Sequence, residues 1–405
     1  MTSTSSNRLL YLVPEFPSQT HAFFWREAQA LRSNNVDVVF VSTRQPALDA
    51  CRHEFARPAA AQTHYLFPPD WVSDTLFLIS RPAAVFKLLR YVAGLRESNW
   101  LDRFKVAMLV LPAARLSRIA RDQDAMHLHV HSFANSAHVA ALAHLMGSCS
   151  YSLTLHGDLE VYGKDHVSKT ARAKFVTCVT EPLKRQILER IGLPETKVHV
   201  LWMGVDTRHF KPTDRPVRTP QEPLRLLTVA RLHVNKGHRF ALRALRKLKD
   251  QGLAARYTIV GDGPDRGAIE QEVAALGLTR DVELVGTKSE TDVLNLLQRC
   301  DALLLTSVGM GEAAPVAVME AMACGVPVVC SIIGGTRDMI RHEHDGFLVE
   351  QEDTGAIARS IGMLIKDPEL AVRMGQAARL RAEQVFDCEA LAGRLRRLVM
   401  CDQTE

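Results

Sequence analysis

From one end of the chain to the other, short β-branched runs alternate with stretches of helical periodicity, which is the signature of parallel sheets wrapped by helices. A parallel strand needs a crossover before its neighbour and is buried on both faces, so it reads as a nearly continuous apolar run. In the first half such runs are Leu9 to Val13, Val36 to Ser42, Met126 to His131, Tyr151 to His156, Phe175 to Thr180 and His199 to Met203. In the second half they are Leu224 to Ala230, Tyr257 to Gly261, Val282 to Gly286, Ala302 to Ser307, Val326 to Cys330 and Phe347 to Val349. Helical periodicity fills the gaps, as at His21 to Arg32, His238 to Gln251 and Ala356 to Ile365. A chain of 405 residues exceeds what one hydrophobic core ordinarily serves, so the pattern predicts two α/β domains. Lys211 to Pro223 fits neither period, because Pro212, Pro216, Pro220 and Pro223 remove both helix and central strand. It is read as the linker, giving an amino-terminal domain over 1–210, a linker over 211–223, a second domain over 224–386 and a closing helix over 387–405.

Apolar residues at 47% and charged residues at 23% are what a packed globular protein needs. The cysteines, Cys51, Cys149, Cys178, Cys300, Cys324, Cys330, Cys388 and Cys401, stand singly with no C-x-x-C pair, and read as reduced thiols. The start, MTSTSSN, lacks the basic and apolar parts of a secretory signal, and the run Val106 to Ala114 is too short to span a bilayer. The expectation is a cytoplasmic protein with no membrane span.

The formal charge of +5 lies in the first half, much of it between Arg81 and Arg118. There Arg81, Lys87, Arg90, Arg96, Arg103, Lys105, Arg115 and Arg118 are interleaved with Leu, Val, Phe and Trp. Two readings stay open, a basic amphipathic surface at the inner face of an anionic membrane and a solvated helical face. Nucleic acid is not an expected partner, because no helix-turn-helix, zinc or RNA-binding signature accompanies the charge.

The residues suited to chemistry cluster at predicted strand ends. In SVGMGEAAPVAVMEAMACGVPVVCS (307–331), Glu312 and Glu320 flank a loop and a helix start, with Pro315 read into the first helical turn. The amino-terminal end of that helix favours an anion, and carboxylates accept hydrogen bonds from vicinal diols. In VARLHVNKGHRF, Arg231 ends a strand and Lys236 precedes a helix starting near Gly237. TIVGDGPDRGAI has Gly261, Gly263 and Gly267 outside G-x-G-x-x-G spacing, so it reads as a tight turn and not as a dinucleotide site. In SLTLHGDLEVY, His156, Gly157 and Asp158 close a strand. Ser18, Gln19 and Thr20, in VPEFPSQTHAFFWREAQAL, are read equally as helix caps or as groups facing a cleft. His127, His129 and His131 alternate on one strand face and invite zinc, but no fourth ligand is apparent, so no metal is expected. Asp122, Gln123 and Asp124 form an Asp-x-Asp that precedes a strand, and it is read as a surface turn.

Together these segments resemble glycosyltransferase family 4, most closely from residue 224 to 350 and more loosely before 125. The amino-terminal pattern is similar to that of enzymes building bacterial exopolysaccharides. The resemblance implies the GT-B fold, an α/β architecture of two Rossmann-like domains facing a central cleft, with the last helix packing back on the first domain. It also implies that Glu312, with the backbone at Ala314, Pro315 and Val316, holds the donor sugar, while Glu320 holds the ribose. Arg231 and Lys236 then neutralise a departing diphosphate in place of a metal ion. Gly263 serves the turn beside the nucleotide, the loop after Gly286 borders the base, and His156 reaches the sugar. Ala313 stands where the family usually has glycine, which leaves the donor's identity open, and Asp338 stands where glutamate is more common. The implied reaction is retaining, metal-independent transfer of a hexosyl unit from a nucleotide diphosphate sugar to a saccharide or lipid-linked saccharide, with no cofactor. UDP-sugar is favoured over GDP-sugar. The rivals on this fold are a non-catalytic nucleotide-sugar-binding scaffold and an epimerase or phosphorylase, and the sequence carries no signature of the last two.

Overall fold

The computed structural model describes residues 7–47, 51–214, 216–309 and 312–400, so the first six residues, Met310, Gly311 and Cys401 lie outside the described residues. Two parallel sheets organise it. The first comprises β1 (Arg8–Glu15), β2 (Asp37–Arg44), β3 (His64–Tyr65), β4 (His127–Val130), β5 (Ser150–Leu155), β6 (Val176–Cys178) and β7 (Val198–Val200), in the order β3-β2-β1-β4-β5-β6-β7. The second comprises β8 (Leu224–Val229), β9 (Ala255–Val260), β10 (Val282–Gly286), β11 (Ala302–Leu305), β12 (Val328–Ser331) and β13 (Gly346–Val349), in the order β10-β9-β8-β11-β12-β13. In each sheet the first strand is flanked by strands whose connections leave in opposite directions, β1 between β2 and β4, and β8 between β9 and β11. That reversal opens a crevice at the carboxyl ends of the strands, where sheets of this kind bind ligands.

The runs read from sequence all form strands, because β4, β11 and β12 are buried along their whole length and only apolar or fully paired residues tolerate that. β4 is the instructive case. His127 bonds Ser150 Oγ and Ser152 Oγ, each at 2.7 Å. His129 bonds the same Ser152 hydroxyl at 2.7 Å and Thr154 Oγ1 at 2.8 Å, and Thr154 passes the network to Thr177 at 2.6 Å. A buried polar group is tolerated only when hydrogen-bonded, and these two rings are saturated by hydroxyls from β5. Burial holds both well below the ordinary imidazole pKa, His129 at about 3.

The chain divides into two compact units, one running to Trp202 and resuming at Glu389, the other Met203–Cys388. The proline-rich segment 211–223 therefore lies inside the second unit and is not a free linker. Arg218 explains this: its guanidinium is buried and bonds the carbonyls of Glu222, Leu364 and Ile365, while Gln298 holds the Lys211 carbonyl at 3.0 Å. The boundary falls near Trp202 instead of residue 210. In the first unit the closing helix, Cys388–Met400, is fastened by Lys174 Nζ on the Val399 carbonyl at 2.9 Å and Arg394 on that of Val200 at 3.1 Å.

Two local expectations fail. Helix Ala22–Ser33 starts from His21 without a side-chain cap, and Gln19 turns away to His53 and the Arg52 amide. Pro315 sits at the N-cap of Val316–Ala323, one residue earlier than read. No helix among the described residues is long and apolar enough to cross a membrane.

Candidate functional site

In the second unit the crevice is walled by the loop after β8 and the strand end after β11. Lys236 lies in a single turn, Val234–Lys236, and Gly237 follows with φ 63° to start the helix His238–Asp250. A side chain at Gly237 would collide with the Thr306 carbonyl, so glycine lets this loop lie against the end of β11. The contact is stitched by Thr306 Oγ1 on the Gly237 carbonyl at 2.9 Å and by the Val308 amide on that of Asn235 at 2.8 Å. His238 fixes the other end, with Nε2 at 2.9 Å from the Arg231 carbonyl. This backbone frame brings the Lys236 ammonium into an ion pair with Glu312, and Ser307 Oγ donates to the same carboxylate oxygen at 3.2 Å. Arg231 is exposed, and its guanidinium has no ion-pair partner among the described residues.

Structure thus joins Lys236 and Glu312, which lie 76 residues apart in sequence, while keeping both partly exposed. The chemistry of such a pair allows an exchange of partners, an anionic group for the carboxylate at Lys236 and hydroxyl donors for the ammonium at Glu312. Glu320 lies on the buried side of Val316–Ala323 with 7% of its surface accessible. Ala314 and Pro315 are buried and Val316 is half-buried, with no acidic residue in the helix's first turn. Gly263 packs so closely on Leu232 that a side chain would strike its carbonyl, which ties the turn after β9 to the loop carrying Arg231 and Lys236. Gly286 ends β10 at a register shift. Ala313 is buried, and its carbonyl accepts from the Gly335 amide at 2.7 Å, so the added methyl sits where the loop meets the turn after β12.

His156 belongs to the first unit, at the end of β5. Its Nε2 is 3.1 Å from His131 Nδ1, and burial pushes its pKa down to about 3, with His129 and His21 adding to the shift. His131 Nε2 in turn lies 3.5 Å from Glu27 Oε1. Sequence reasoning missed Glu27. The available signal was a carboxylate on the face that Phe24, Ala28 and Leu31 define as apolar. Glu27, His129 and His131 bring ligand atoms within 4.8 Å of one another, a grouping that the histidine row alone did not reveal. Both nitrogens of His129 already bond hydroxyls, so the unengaged atoms are Glu27 Oε1 and His131 Nε2, fewer than a closed metal site uses. Asp122 ends a helix and Asp124 follows with φ 47°, in keeping with a surface turn.

The basic stretch divides by role. Arg81 and Arg103 bond the Met146 and Leu95 carbonyls, Arg115 bonds that of Pro68, and Arg118 pairs with buried Asp74 at 2.8 Å. Lys87, Arg90 and Arg96 remain exposed and, with Arg172, line a pocket of about 920 Å³. Its acidic members Glu97 and Asp165 are spent on each other's backbone amides. Beside it, helices Trp71–Ile79, Pro82–Ala93 and Trp100–Met108 expose Ile79, Phe86, Leu89, Trp100 and Phe104, each more than 60% accessible.

Residues 210–381 match the family model described as "Glycosyl transferases group 1", and residues 80–209 match "Glycosyltransferase Family 4". The chain is 30% identical over 399 residues to the amylovoran biosynthesis glycosyltransferase AmsK of Erwinia amylovora, covering 94% of this chain and 96% of that protein. It is 36% identical over 209 residues to the putative colanic acid biosynthesis glycosyltransferase WcaL of Escherichia coli K12, a match spanning about half of each chain, 50% and 51%. Among solved structures, a glycosyltransferase from Rickettsia africae superposes with a TM-score of 0.72 at 18% identity, covering 98% of this chain and 99% of that one. Anabaena HepE in complex with UDP-glucose does so with a TM-score of 0.72 at 17% identity, covering 96% and 98%.

Proposed function

The chain belongs to glycosyltransferase family 4 and has the GT-B fold, and from that premise we propose that it transfers a hexosyl unit from a nucleotide diphosphate sugar, with retention, in exopolysaccharide biosynthesis. The observation that carries this reading is the Lys236–Glu312 pair beside an uncommitted Arg231 at the switch point of the second sheet. When the bond from the anomeric carbon to phosphate breaks, the diphosphate gains negative charge, and fixed cations stabilise it without reorganising. Lys236 and Arg231 supply that charge, so the proposed reaction needs no metal ion. Glu312 holds hydroxyls of the sugar and Glu320 the ribose. The departing phosphate oxygen takes the acceptor's proton as the new glycosidic bond forms on the same face. UDP-glucose bound by HepE and the names of AmsK and WcaL favour a UDP-sugar and a polysaccharide intermediate.

Thermal shift with UDP, GDP and ADP, followed by mass spectrometry of products from the matching sugar donors in EDTA, tests the reading. UDP should raise the melting temperature most, and turnover should survive EDTA. Nucleoside diphosphate binding without turnover of any sugar donor would favour the scaffold alternative, and rescue of EDTA-treated enzyme by manganese would overturn metal independence.

The acceptor in this reading is carried on a membrane lipid, and the enzyme works at the cytoplasmic membrane surface. Exposed Phe86, Leu89, Trp100 and Phe104 lie beside Lys87, Arg90 and Arg96, which is the composition of an interfacial face. Each basic residue contributes on the order of 1 kcal/mol near an anionic surface. Charge reversal at Lys87, Arg90 and Arg96 should therefore weaken co-sedimentation with anionic vesicles by about 100-fold at low salt. Equal binding to neutral and anionic vesicles, or no effect of the reversal, would make the face an ordinary solvated surface.

A further inference from the structure

Helix Pro82–Ala93 separates two pockets of opposite chemistry, both formed within the first unit. Lys87, Arg90 and Tyr91 on one side of it, with Arg96 in the following turn and Arg172, line the basic pocket of about 920 Å³. Val85, Leu88, Leu89 and Val92 on the other side line an apolar pocket of about 470 Å³ together with Leu78 and Ile79 of helix Trp71–Ile79. Phe86 stands exposed on the crest between the two rows, as a period of 3.6 residues requires. The walls of the basic pocket are fixed by hydrogen bonds that spare its cations. Asp165 Oδ1 accepts from the Glu97 amide at 3.0 Å, Glu97 Oε2 accepts from the Asp165 amide at 2.7 Å, and Ser98 Oγ donates to the same aspartate. This reciprocal clamp ties the turn that carries Arg96 to the start of helix His166–Thr170, which leads to Arg172. Tyr91 fixes the central helix through its hydroxyl, 2.8 Å from His138 Nδ1. Lys87, Arg90, Arg96 and Arg172 are exposed and have no ion-pair partner among the described residues. Four cations therefore face two carboxylates that are already engaged. Lys169 beside them, lowered by burial to about 8, is still protonated at pH 7 and offsets part of that negative charge.

We propose that the basic pocket binds the diphosphate, and the apolar pocket the hydrocarbon chain, of a lipid diphosphate that carries the acceptor saccharide. The inference rests on the reading of the acceptor as lipid-linked, and it adds where in the first unit the carrier is held. Guanidinium forks match phosphate oxygens in geometry, and charge-assisted bonds of this kind are about twice as strong as neutral ones. A diphosphate diester brings two negative charges, which matches the excess of cations over carboxylates in the pocket. The volume is at the upper end of the range of about 300–1,000 Å³ usual for ligand pockets, which leaves room for a first sugar beside the phosphates. A soluble diphosphate would account for the basic pocket but not for the apolar one across the helix. Leu89 and Ile79 there are 64% and 69% accessible, and exposed apolar surface costs about 25 cal/mol per Å². A chain that leaves the diphosphate, crosses Phe86 and fills the apolar pocket removes that surface from water. Such a site differs from diffuse attraction to an anionic surface, because it needs Arg172 as well as the cations of helix Pro82–Ala93.

The test is titration calorimetry of the full chain with farnesyl diphosphate, kept below its micelle concentration, and with inorganic diphosphate. Both titrations are run in saturating UDP, so that the cations of the proposed donor site are already engaged. Farnesyl diphosphate should bind saturably, and inorganic diphosphate about tenfold more weakly because it has no chain to bury. Arg90→Ala combined with Arg172→Ala should weaken both probes by about 20-fold or more, since one hydrogen bond to a charged group is worth roughly tenfold. Leu89→Gln should weaken farnesyl diphosphate alone, by about fivefold. All three side chains are exposed, so the variants should melt like wild type. No saturable binding of farnesyl diphosphate, or binding indifferent to the arginine pair, overturns the inference. Equal affinity for the two probes, with Leu89→Gln without effect, overturns the lipid source and assigns the basic pocket to a soluble diphosphate. The membrane reading fails separately: farnesyl diphosphate bound as expected by a protein that ignores anionic vesicles would remove the interfacial face and uphold the pocket.

Discussion

Replacing Lys236 with alanine is expected to lower kcat by about 10²–10³, or ~2.7–4 kcal/mol of transition-state stabilisation, the cost of deleting one fixed charge-stabilising group from an active site. The backbone carrying Lys236 is held by a frame that owes nothing to its own side chain: Gly237 against Thr306, His238 on the Arg231 carbonyl, and the Val308 amide on Asn235. The root of the side chain is therefore set before any substrate arrives, and Glu312 pairs with the ammonium itself. UDP affinity should fall less than turnover, because charge accumulates on the phosphate as the bond breaks and is smaller in the ground state. Alanine also strands the Glu312 carboxylate, which among the described residues keeps Ser307 Oγ at 3.2 Å, so thermal melting of the variant must accompany the kinetics. A variant that melts like wild type and turns over within threefold of it would remove Lys236 from the chemistry. Lys236→Arg makes a second arm. Charge alone should restore part of the rate, and full restoration would mean that the site tolerates a different donor geometry than the short loop suggests.

Much of this site is legible in the sequence because its members sit at strand ends, and strand ends are where apolar runs stop. Arg231 after Leu224–Val229 is placed by that rule alone, as is His156 after Ser150–Leu155 in the first unit, whereas Ser307 was not singled out. The pairing of Lys236 with Glu312 is not legible from spacing, since it depends on β8 lying beside β11, a crossover that periodicity cannot order. β3 escaped notice because two residues have no period. The linker was misplaced for a different reason: prolines mark the absence of regular structure, whereas the division between units depends on which core the segment packs against, and buried Arg218 ties it to the second. The basic stretch looked uniform as a string of letters, yet backbone carbonyls and buried Asp74 claim Arg81, Arg103, Arg115 and Arg118. Glu27 was hidden because its partners lie on strands about a hundred residues away, and its only local mark was a charge on an apolar helix face.

Acid should unfold the first unit well above the pH at which carboxylate protonation alone would do so. His127, His129, His131, His138 and His156 are all held below the ordinary imidazole value, chiefly by burial, with His129, His138 and His156 at about 3. A folded-state pKa below the unfolded one means that the unfolded chain binds more protons as pH drops below about 6.5, so stability is lost on acidification through that window. Each such histidine costs about 1.4 kcal/mol per pH unit until its folded pKa is reached. Glu27 works the other way. Its carboxyl is raised to about 8, so its folded form gains relative to the unfolded one as pH falls from there to the ordinary carboxylate range, and it offsets roughly one histidine. The net slope is then up to about 5 kcal/mol per pH unit, against a total stability of ordinarily about 5–15 kcal/mol. Urea midpoints measured by circular dichroism should therefore fall steeply between pH 6.5 and 5, with the first unit unfolded near pH 5. His127→Gln removes one titrating ring while leaving an amide for Ser150 and Ser152, and should flatten the slope by about 1.4 kcal/mol per pH unit. Equal urea midpoints at pH 7.5 and pH 5 would mean that these rings are charged in the folded protein, and the buried ladder of neutral histidines and hydroxyls on β4 and β5 would have to be abandoned.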